Sequence, residues 1–209
     1  MKIVKLEGKE FIFPYIAYIP DTISDNPAML LHLHGAGERG NGGEELDKVT
    51  VWGFPKVVND ENLKDCILIM PQCPSDTFWA ARVESIRSFI DIMIEKYSID
   101  QDRIYLCGLS MGGYGTWYTA MAYPNLFAAI APCCGGGMPW NSNVLRMPVF
   151  AFHGDIDDCV SVNETLSMVE AMRKYGLDPV CTIYEGVGHN SWERAFSPEL
   201  LEKLLSIKK

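Results

Sequence analysis

The chain has 209 residues, of which 48% are hydrophobic, which suits the core of one globular domain spanning 1–209. The formal net charge of −9 disfavours anionic partners such as nucleic acids and acidic membrane surfaces. No apolar run approaches the roughly 18 residues that cross a bilayer, and the first residues lack an apolar leader segment, so we expect neither a membrane span nor a signal peptide.

Short apolar runs alternate with longer helical patterns along the chain. The runs predict strands at 11–19, 28–33, 66–70, 103–107, 126–131, 148–152 and 180–184. Apolar residues at helical spacing predict helices at 83–97, 111–123, 161–175 and 198–207. This alternation predicts an α/β fold with a mostly parallel central sheet flanked by helices on both faces. The connections are short, so we expect no large lid domain.

The cysteines are seven in number, and none forms a Cys-x-x-Cys pair. Several lie in apolar segments, where a thiol behaves as a small core residue. We therefore expect free thiols, no structural zinc and a reducing, cytoplasmic location.

Gly108, Ser110 and Gly112 form a Gly-x-Ser-x-Gly pattern between a predicted strand and a predicted helix. The pattern alone is weak, because ordinary glycine-rich turns also produce it. In the strand–turn–helix context, however, it is typical of a serine held on a sharp turn for attack on a carbonyl carbon. Ser110 is therefore the candidate nucleophile.

A serine nucleophile needs a base, and the chain has four histidines. His189 lies in a loop after the last predicted strand, which suits the chain order serine, acid, histidine. His32, His34 and His153 lie in or beside strands, and we interpret them as structural. His189 is the candidate general base.

A carboxylate must hold the imidazole in the right tautomer and stabilise its cation. Asp155, Asp157 and Asp158 all follow the strand predicted at 148–152, where such an acid belongs. Periodicity does not choose among the three, and aspartates in loops often bond their own backbone instead.

Several motifs resemble one family. His153-Gly154-Asp155-Ile156-Asp157 is similar to the HGxxD element of the phospholipase/carboxylesterase and dienelactone-hydrolase branch of the α/β-hydrolases. The resemblance implies that Asp157 is the triad acid. His34-Gly35-Ala36-Gly37-Glu38-Arg39-Gly40 resembles the HGAGERG turn of an esterase and peptidase-like subgroup, as do Pro71-Gln72-Cys73-Pro74 with Trp79 and the segment from Gly188 to Trp192. Dienelactone hydrolases proper carry cysteine where this chain has Ser110, which favours ordinary esters.

Acyl transfer also needs two N–H donors where the carbonyl oxygen becomes negative. The backbone N–H of Met111, next to Ser110, is one candidate, and the resemblance implies that Ala36 supplies the other. Trp79, Trp140 and Trp192 fall in loops after predicted strands, where they would either line a substrate pocket or pack the loops down.

These features together predict a serine hydrolase that cleaves small soluble carboxylic esters through an acyl-enzyme, without metal or organic cofactor. An acyl-protein thioesterase or a peptidase would use the same residues, because leaving-group choice depends on loop shape. A non-catalytic binding protein on this fold is the alternative from another class. The acyl group, the alcohol and the oligomeric state are left open.

Overall fold

The computed structural model describes the backbone of residues 1–209 and every side chain except that of Lys9. Eight strands form one sheet in the order β1-β2-β4-β3-β5-β6-β7-β8. Their bounds are β1 Lys2–Leu6, β2 Tyr15–Ile19, β3 Ala28–Leu33, β4 Cys66–Pro71, β5 Ile104–Leu109, β6 Ala129–Cys133, β7 Phe150–Gly154 and β8 Val180–Tyr184.

Six of the strands, β3 to β8, run parallel to one another, whereas β2 is antiparallel to both β1 and β4. The central strands β3, β4, β5 and β6 are buried along their whole length. Burial on both faces explains why they consist of nearly continuous apolar runs rather than alternating ones.

The helices are α1 Asp60–Leu63, α2 Val83–Tyr97, α3 Met111–Ala122, α4 Asn163–Lys174, α5 Trp192–Ala195 and α6 Pro198–Leu205. Short 3-10 helices occupy Lys9–Phe11, Ala36–Glu38, Gly43–Thr50, Phe54–Lys56, Trp79–Ala81 and Pro139–Val144. Pro198 at the first turn and Ser197, whose hydroxyl accepts the N–H of Leu200, give α6 a defined start.

Two apolar clusters cover the two faces of the sheet. Buried residues of α2, α3 and α4 pack with Met29 and Leu31 on one face. Residues of α1 and α6 pack with Leu30 and Tyr105 on the other. Since successive strand residues point to opposite faces, β3 and β5 contribute to both clusters. The predicted mostly parallel sheet with helices on both faces is thus confirmed.

The first strand is the main difference from the sequence prediction. The prediction of one strand over 11–19 is wrong in its first half: Lys9–Phe11 is a 3-10 helix, Ile12 has a φ of 68°, and β2 begins only at Tyr15. Pro14 lacks an N–H for a ladder hydrogen bond, which favours this late start. The strand β1 was not predicted, because it is a half-exposed edge strand without a buried apolar run.

The carboxyl edge of the sheet is left open by the rest of the chain. Within the described chain, no helix has the length and apolarity that a membrane crossing requires. Nor do the described residues contain a large extra domain inserted between the strands. The turns that follow β3, β5, β7 and β8 therefore meet at an open edge, where ligands bind in α/β sheets.

Candidate active site

Ser110 lies on the sharp turn between β5 and α3. Its backbone has a φ of 54° and a ψ of −117°, a conformation that residues other than glycine rarely adopt. Its N–H donates to the carbonyl oxygen of Cys133 at 2.9 Å, which fixes the turn against the end of β6. The hydroxyl is therefore held by the backbone at the carboxyl edge of the sheet.

Gly108 and Gly112 allow this turn to pack closely. A Cβ at Gly112 would lie 1.9 Å from the carbonyl oxygen of Leu33, and one at Gly108 would lie 2.3 Å from the carbonyl oxygen of Gly112. No side chain fits at either position. The glycines of the Gly-x-Ser-x-Gly pattern thus reflect the approach of the turn to β3.

His189 lies in the loop between β8 and α5. Its Nε2 accepts a hydrogen bond from the Ser110 hydroxyl at 2.9 Å, and its ring packs edge-on against Trp192 with centroids 5.1 Å apart. The loop is anchored by Cys134, whose Sγ donates to the carbonyl oxygen of His189 at 3.2 Å and lies 2.8 Å from Ser191 Oγ.

Asp157 is the carboxylate that reaches His189. The Nδ1 of His189 donates to Asp157 Oδ2 at 2.8 Å, and the Asp157 side chain has no exposed surface. Its other oxygen, Oδ1, accepts the backbone N–H groups of Cys159 and Val160, both at 2.9 Å. The carboxylate is thereby fixed on both sides.

The two neighbouring aspartates have other partners. Asp155 Oδ1 accepts the N–H of Gly186 at 2.8 Å, and Asp158 Oδ1 accepts the thiol of Cys159 at 3.6 Å. Gly154 allows the His189 loop to approach, because a Cβ there would lie 2.1 Å from the carbonyl oxygen of Val187. Of the three carboxylates that the sequence left open, Asp157 is the one brought to His189.

Burial alone would raise the pKa of Asp157. Hydrogen bonds from the N–H of Val160, from His189 and from the N–H of Cys159 outweigh that effect and hold the pKa below its ordinary value. Asp157 is therefore ionised at neutral pH, as a group that stabilises an imidazolium must be.

The turn after β3 is held by His34 and Trp79. Nδ1 of His34 donates to the carbonyl oxygen of Gly35 at 2.6 Å, and its Nε2 accepts the N–H of Cys73 at 2.9 Å. Burial lowers the pKa of His34 to about 4, which keeps the ring neutral. Trp79 Nε1 donates to the carbonyl oxygen of His34 at 3.0 Å. His34 thus has the structural role expected of it.

Ala36 and Met111 begin two helical turns that face this edge. Each is the first residue of its helix, so its N–H has no acceptor within that helix. A Cβ built on Gly35 would lie 3.8 Å from Ser110 Cβ, which shows how closely the turn approaches the serine. Both helical turns therefore begin at the edge of the sheet that carries Ser110, and the amino terminus of α3 adds a positive partial charge there.

An apolar cleft of about 620 Å³ lies beside Met111. Its walls come from the 3-10 helix Trp79–Ala81 and from the face of α3 that follows Ser110, and they comprise Phe78, Ala80, Ala81, Met111, Tyr114 and Tyr118. Tyr114 and Tyr118 are one turn apart directly after the serine, a spacing from which sequence reasoning could have found this wall.

The three predicted substrate-binding tryptophans lie outside the walls of this cleft. Trp79 is fully buried and packs against Phe13, so it supports the turn and offers no surface to a ligand. Trp140 is 74% exposed. Trp192 contacts the rings of His189 and Trp52.

Two groups of side chains have their ligand atoms within 4.8 Å of one another, as a metal site requires. They are Asp157 with Cys159 and His189, and Asp157 with Cys134 and His153. Both depend on Asp157, whose oxygens already accept hydrogen bonds from two backbone N–H groups and from His189. These hydrogen bonds account for the clustering of the ligand atoms without a metal ion.

Comparison with known proteins agrees with this geometry. Residues 71–198 match the model of the phospholipase/carboxylesterase family. Over 171 residues the chain is 29% identical to a bifunctional acetylxylan esterase/xylanase from Neocallimastix patriciarum, covering 75% of this chain and 23% of that protein. It is 24% identical to a "probable carboxylesterase" from Oryza sativa subsp. japonica over 204 residues, covering 83% of this chain and 76% of that protein.

Among solved structures, a thermostable esterase superposes with a TM-score of 0.85 at 28% identity, covering all of this chain and 63% of that one. The chain spans less than a third of the length of the first two curated relatives that it matches. The matched segment includes Ser110, Asp157 and His189, and the fold is that of the esterases. The chain belongs to the phospholipase/carboxylesterase family and has the α/β-hydrolase fold.

Proposed function

We propose that this protein hydrolyses carboxylic esters of small soluble substrates through an acyl-enzyme, with Ser110 as nucleophile, His189 as general base and Asp157 as the orienting acid. The observation that carries the proposal is the continuous hydrogen-bonded chain from Ser110 Oγ through His189 to Asp157, with distances of 2.9 and 2.8 Å. Both distances are within the range needed for proton transfer at a nucleophile.

In the first half of the reaction, Ser110 Oγ attacks the ester carbonyl carbon while His189 Nε2 takes the hydroxyl proton. The carbonyl oxygen becomes negative and is bound by the N–H groups of Met111 and Ala36. His189 then gives its proton to the departing alkoxide, which leaves as the alcohol. Asp157 stabilises the imidazolium between these two transfers.

In the second half, a water molecule attacks the acyl-enzyme carbonyl, and His189 Nε2 takes one of its protons. The tetrahedral intermediate collapses, the proton returns to Ser110 Oγ, and the carboxylic acid is released. No step requires a metal or an organic cofactor.

The apolar cleft supports an apolar or aromatic substituent on one side of the ester bond. It lies against Met111, whose N–H is one of the proposed oxyanion donors, so a substrate bound there has its carbonyl close to Ser110. Tyr114 and Tyr118 offer aromatic surface, and their phenol groups offer a hydrogen bond to a polar substituent.

The experiment that tests this function is a rate series on p-nitrophenyl esters of increasing acyl size, measured with wild type and Ser110→Ala. Ester turnover that disappears in the variant supports the proposal. A folded Ser110→Ala protein with full activity would contradict it. Matched thioester and amide substrates separate the proposed esterase from a thioesterase or a peptidase, since all three classes use the same residues.

A further inference from the structure

His153 is a second buried histidine in contact with the proposed acid. It lies near the end of β7, four residues before Asp157, and neither side chain has exposed surface. Its Nε2 is 3.2 Å from Asp157 Oδ2, the same oxygen that accepts the hydrogen bond from His189 Nδ1. The mechanism proposed above assigns His153 no role.

The hydrogen position on His153 follows from its partners. Nε2 also lies 2.9 Å from the carbonyl oxygen of Val160, and neither a carbonyl nor a carboxylate can donate. Nε2 must therefore carry the hydrogen, which it donates to Val160, with Asp157 Oδ2 lying beside this N–H group at 3.2 Å. On its other side, Nδ1 is 2.8 Å from the hydroxyl of Thr165, which is itself 2.8 Å from the carbonyl oxygen of Gly135.

This network immobilises the ring. Thr165 is at the start of α4, Gly135 follows β6 and Val160 precedes α4, so His153 is tied to three segments of the chain. Asp157 accepts hydrogen bonds from two backbone amides on Oδ1 and from His189 on Oδ2, and the Nε2–H group of His153 is a fourth neighbour, 3.2 Å from Oδ2.

We infer that His153 is a positioning residue for Asp157: Val160 holds its Nε2–H group beside Oδ2, and this dipole limits how strongly Asp157 holds the imidazolium. This inference rests on the proposed function. Without the N–H dipole, Asp157 keeps its three hydrogen bonds, its negative charge is less stabilised, and the protonated form of His189 becomes more stable.

Other titratable groups also face Asp157. They are Cys133 at the end of β6 and Cys134 directly after it, Cys159 and Asp158 in the loop of Asp157, and Tyr114 on α3, which lies beside Glu164 of α4. All of them are unchanged in the variants below, so a difference from wild type reports on His153.

The test compares two amide substitutions. The amide nitrogen of glutamine overlays the Nε2 position of histidine, whereas the asparagine amide overlays the Nδ1 position and does not extend to Asp157. In a plot of kcat/KM against pH, we expect the acid limb of His153→Gln to stay at the pH of the wild-type limb. In His153→Asn the limb should move to higher pH by about 0.5–1 unit, with kcat about 10-fold lower.

The matched control is His32→Asn. His32 is equally buried but lies on β3, packs against Phe54 and Phe196, and is 3.2 Å from Cys107 rather than from any of the proposed catalytic side chains. Its substitution tests whether loss of a buried histidine alone moves the profile, and we expect no movement.

A shift in His153→Asn, but not in His153→Gln or His32→Asn, supports the inference. An unmoved limb in a folded His153→Asn protein would overturn it, as would equal shifts in both His153 variants. If His153→Asn does not fold, His153→Gln decides alone: an unmoved limb supports the inference, and a moved one overturns it. Absence of ester turnover in wild type would instead overturn the proposed function.

Discussion

Asp155, Asp157 and Asp158 lie within four residues of one another yet have three different partners. The choice among them depends on contacts between loops distant in sequence, chiefly the approach of Val187 to Gly154. No local pattern encodes that approach, so reasoning from the residues alone left the acid open, and only the family resemblance indicated Asp157. The serine and histidine were easier to identify, because a strand–turn–helix motif and chain order point to them.

The first prediction concerns the acid. Asp157→Asn should lower kcat by about 10⁴-fold, because an amide cannot hold the productive imidazole tautomer or stabilise its cation. Asp158→Asn is the matched control and should remain within about threefold of wild type, since the Asp158 carboxylate accepts its hydrogen bond from Cys159 rather than from His189. Ester hydrolysis rates decide the matter: equal losses in both variants would show that the loop, rather than the Asp157 carboxylate, was disturbed.

The second prediction concerns the cleft. Ala81→Trp adds a large ring to one wall, so kcat/KM for bulky or aromatic acyl esters should fall about 10-fold or more, while acetyl esters change little. The control is Ala171→Trp on α4, outside the cleft. Parallel rate series on both variants test the prediction, and an equal loss on acetyl and aromatic esters would argue against a substrate-binding role for this cleft.

At the scale of elements, the strand–turn–helix unit from β5 to α3 was predicted closely, because its apolar run and its glycines are local signals. The bounds of β6 and β7 differ from the prediction by two or three residues, since apolar side chains continue beyond each ladder. The 3-10 helices between β3 and β4 were missed. They have short, irregular turns without a sustained period, and tertiary contacts hold them in place.

The third prediction tests the packing of the β5–α3 turn against β3. In Gly112→Ala the new Cβ would lie 1.9 Å from backbone, and the free energy of unfolding should drop by about 3 kcal/mol or more. Gly37→Ala, where no atom lies within 4 Å of the new Cβ, should change it by less than about 1 kcal/mol. Urea unfolding of both variants provides the comparison, and a stable Gly112→Ala protein would refute the close approach.

At the scale of the whole molecule, the buried histidines of β3 and of the turn after it make the stability of the fold depend on pH. Burial lowers the pKa of His32 to about 3 and that of His34 to about 4. In the unfolded chain both titrate near pH 6.5. Their contribution to stability is therefore fully present above about pH 6.5 and is lost as the pH falls, because only the unfolded chain binds the protons.

The fourth prediction follows from this linkage. Between about pH 6 and pH 4, His32 should contribute a slope of about 1.4 kcal/mol per pH unit to the free energy of unfolding. In His32→Asn that part of the slope should be missing, and all other titrating groups are the same in both proteins. Unfolding curves at several pH values measure it, and identical slopes for wild type and variant would show that His32 is not held neutral in the folded state.

The sequence predicted the alternation of strands and helices, the burial of the sheet on both faces and the family resemblance. All three depend on local apolar runs and short motifs. The partners of the three aspartates and the second histidine at Asp157 were not accessible in this way. They depend on loops that are distant in sequence and meet only in the folded chain.

The fifth prediction addresses the central claim, that Ser110 is the nucleophile activated by His189. The measurement is labelling with a fluorophosphonate, followed by mapping of the modified residue by mass spectrometry in wild type, Ser110→Ala and His189→Gln. The account predicts one modified site at Ser110 in wild type, none in Ser110→Ala and far slower labelling in His189→Gln. Folded wild type that does not react, or that reacts at another residue, would contradict the account.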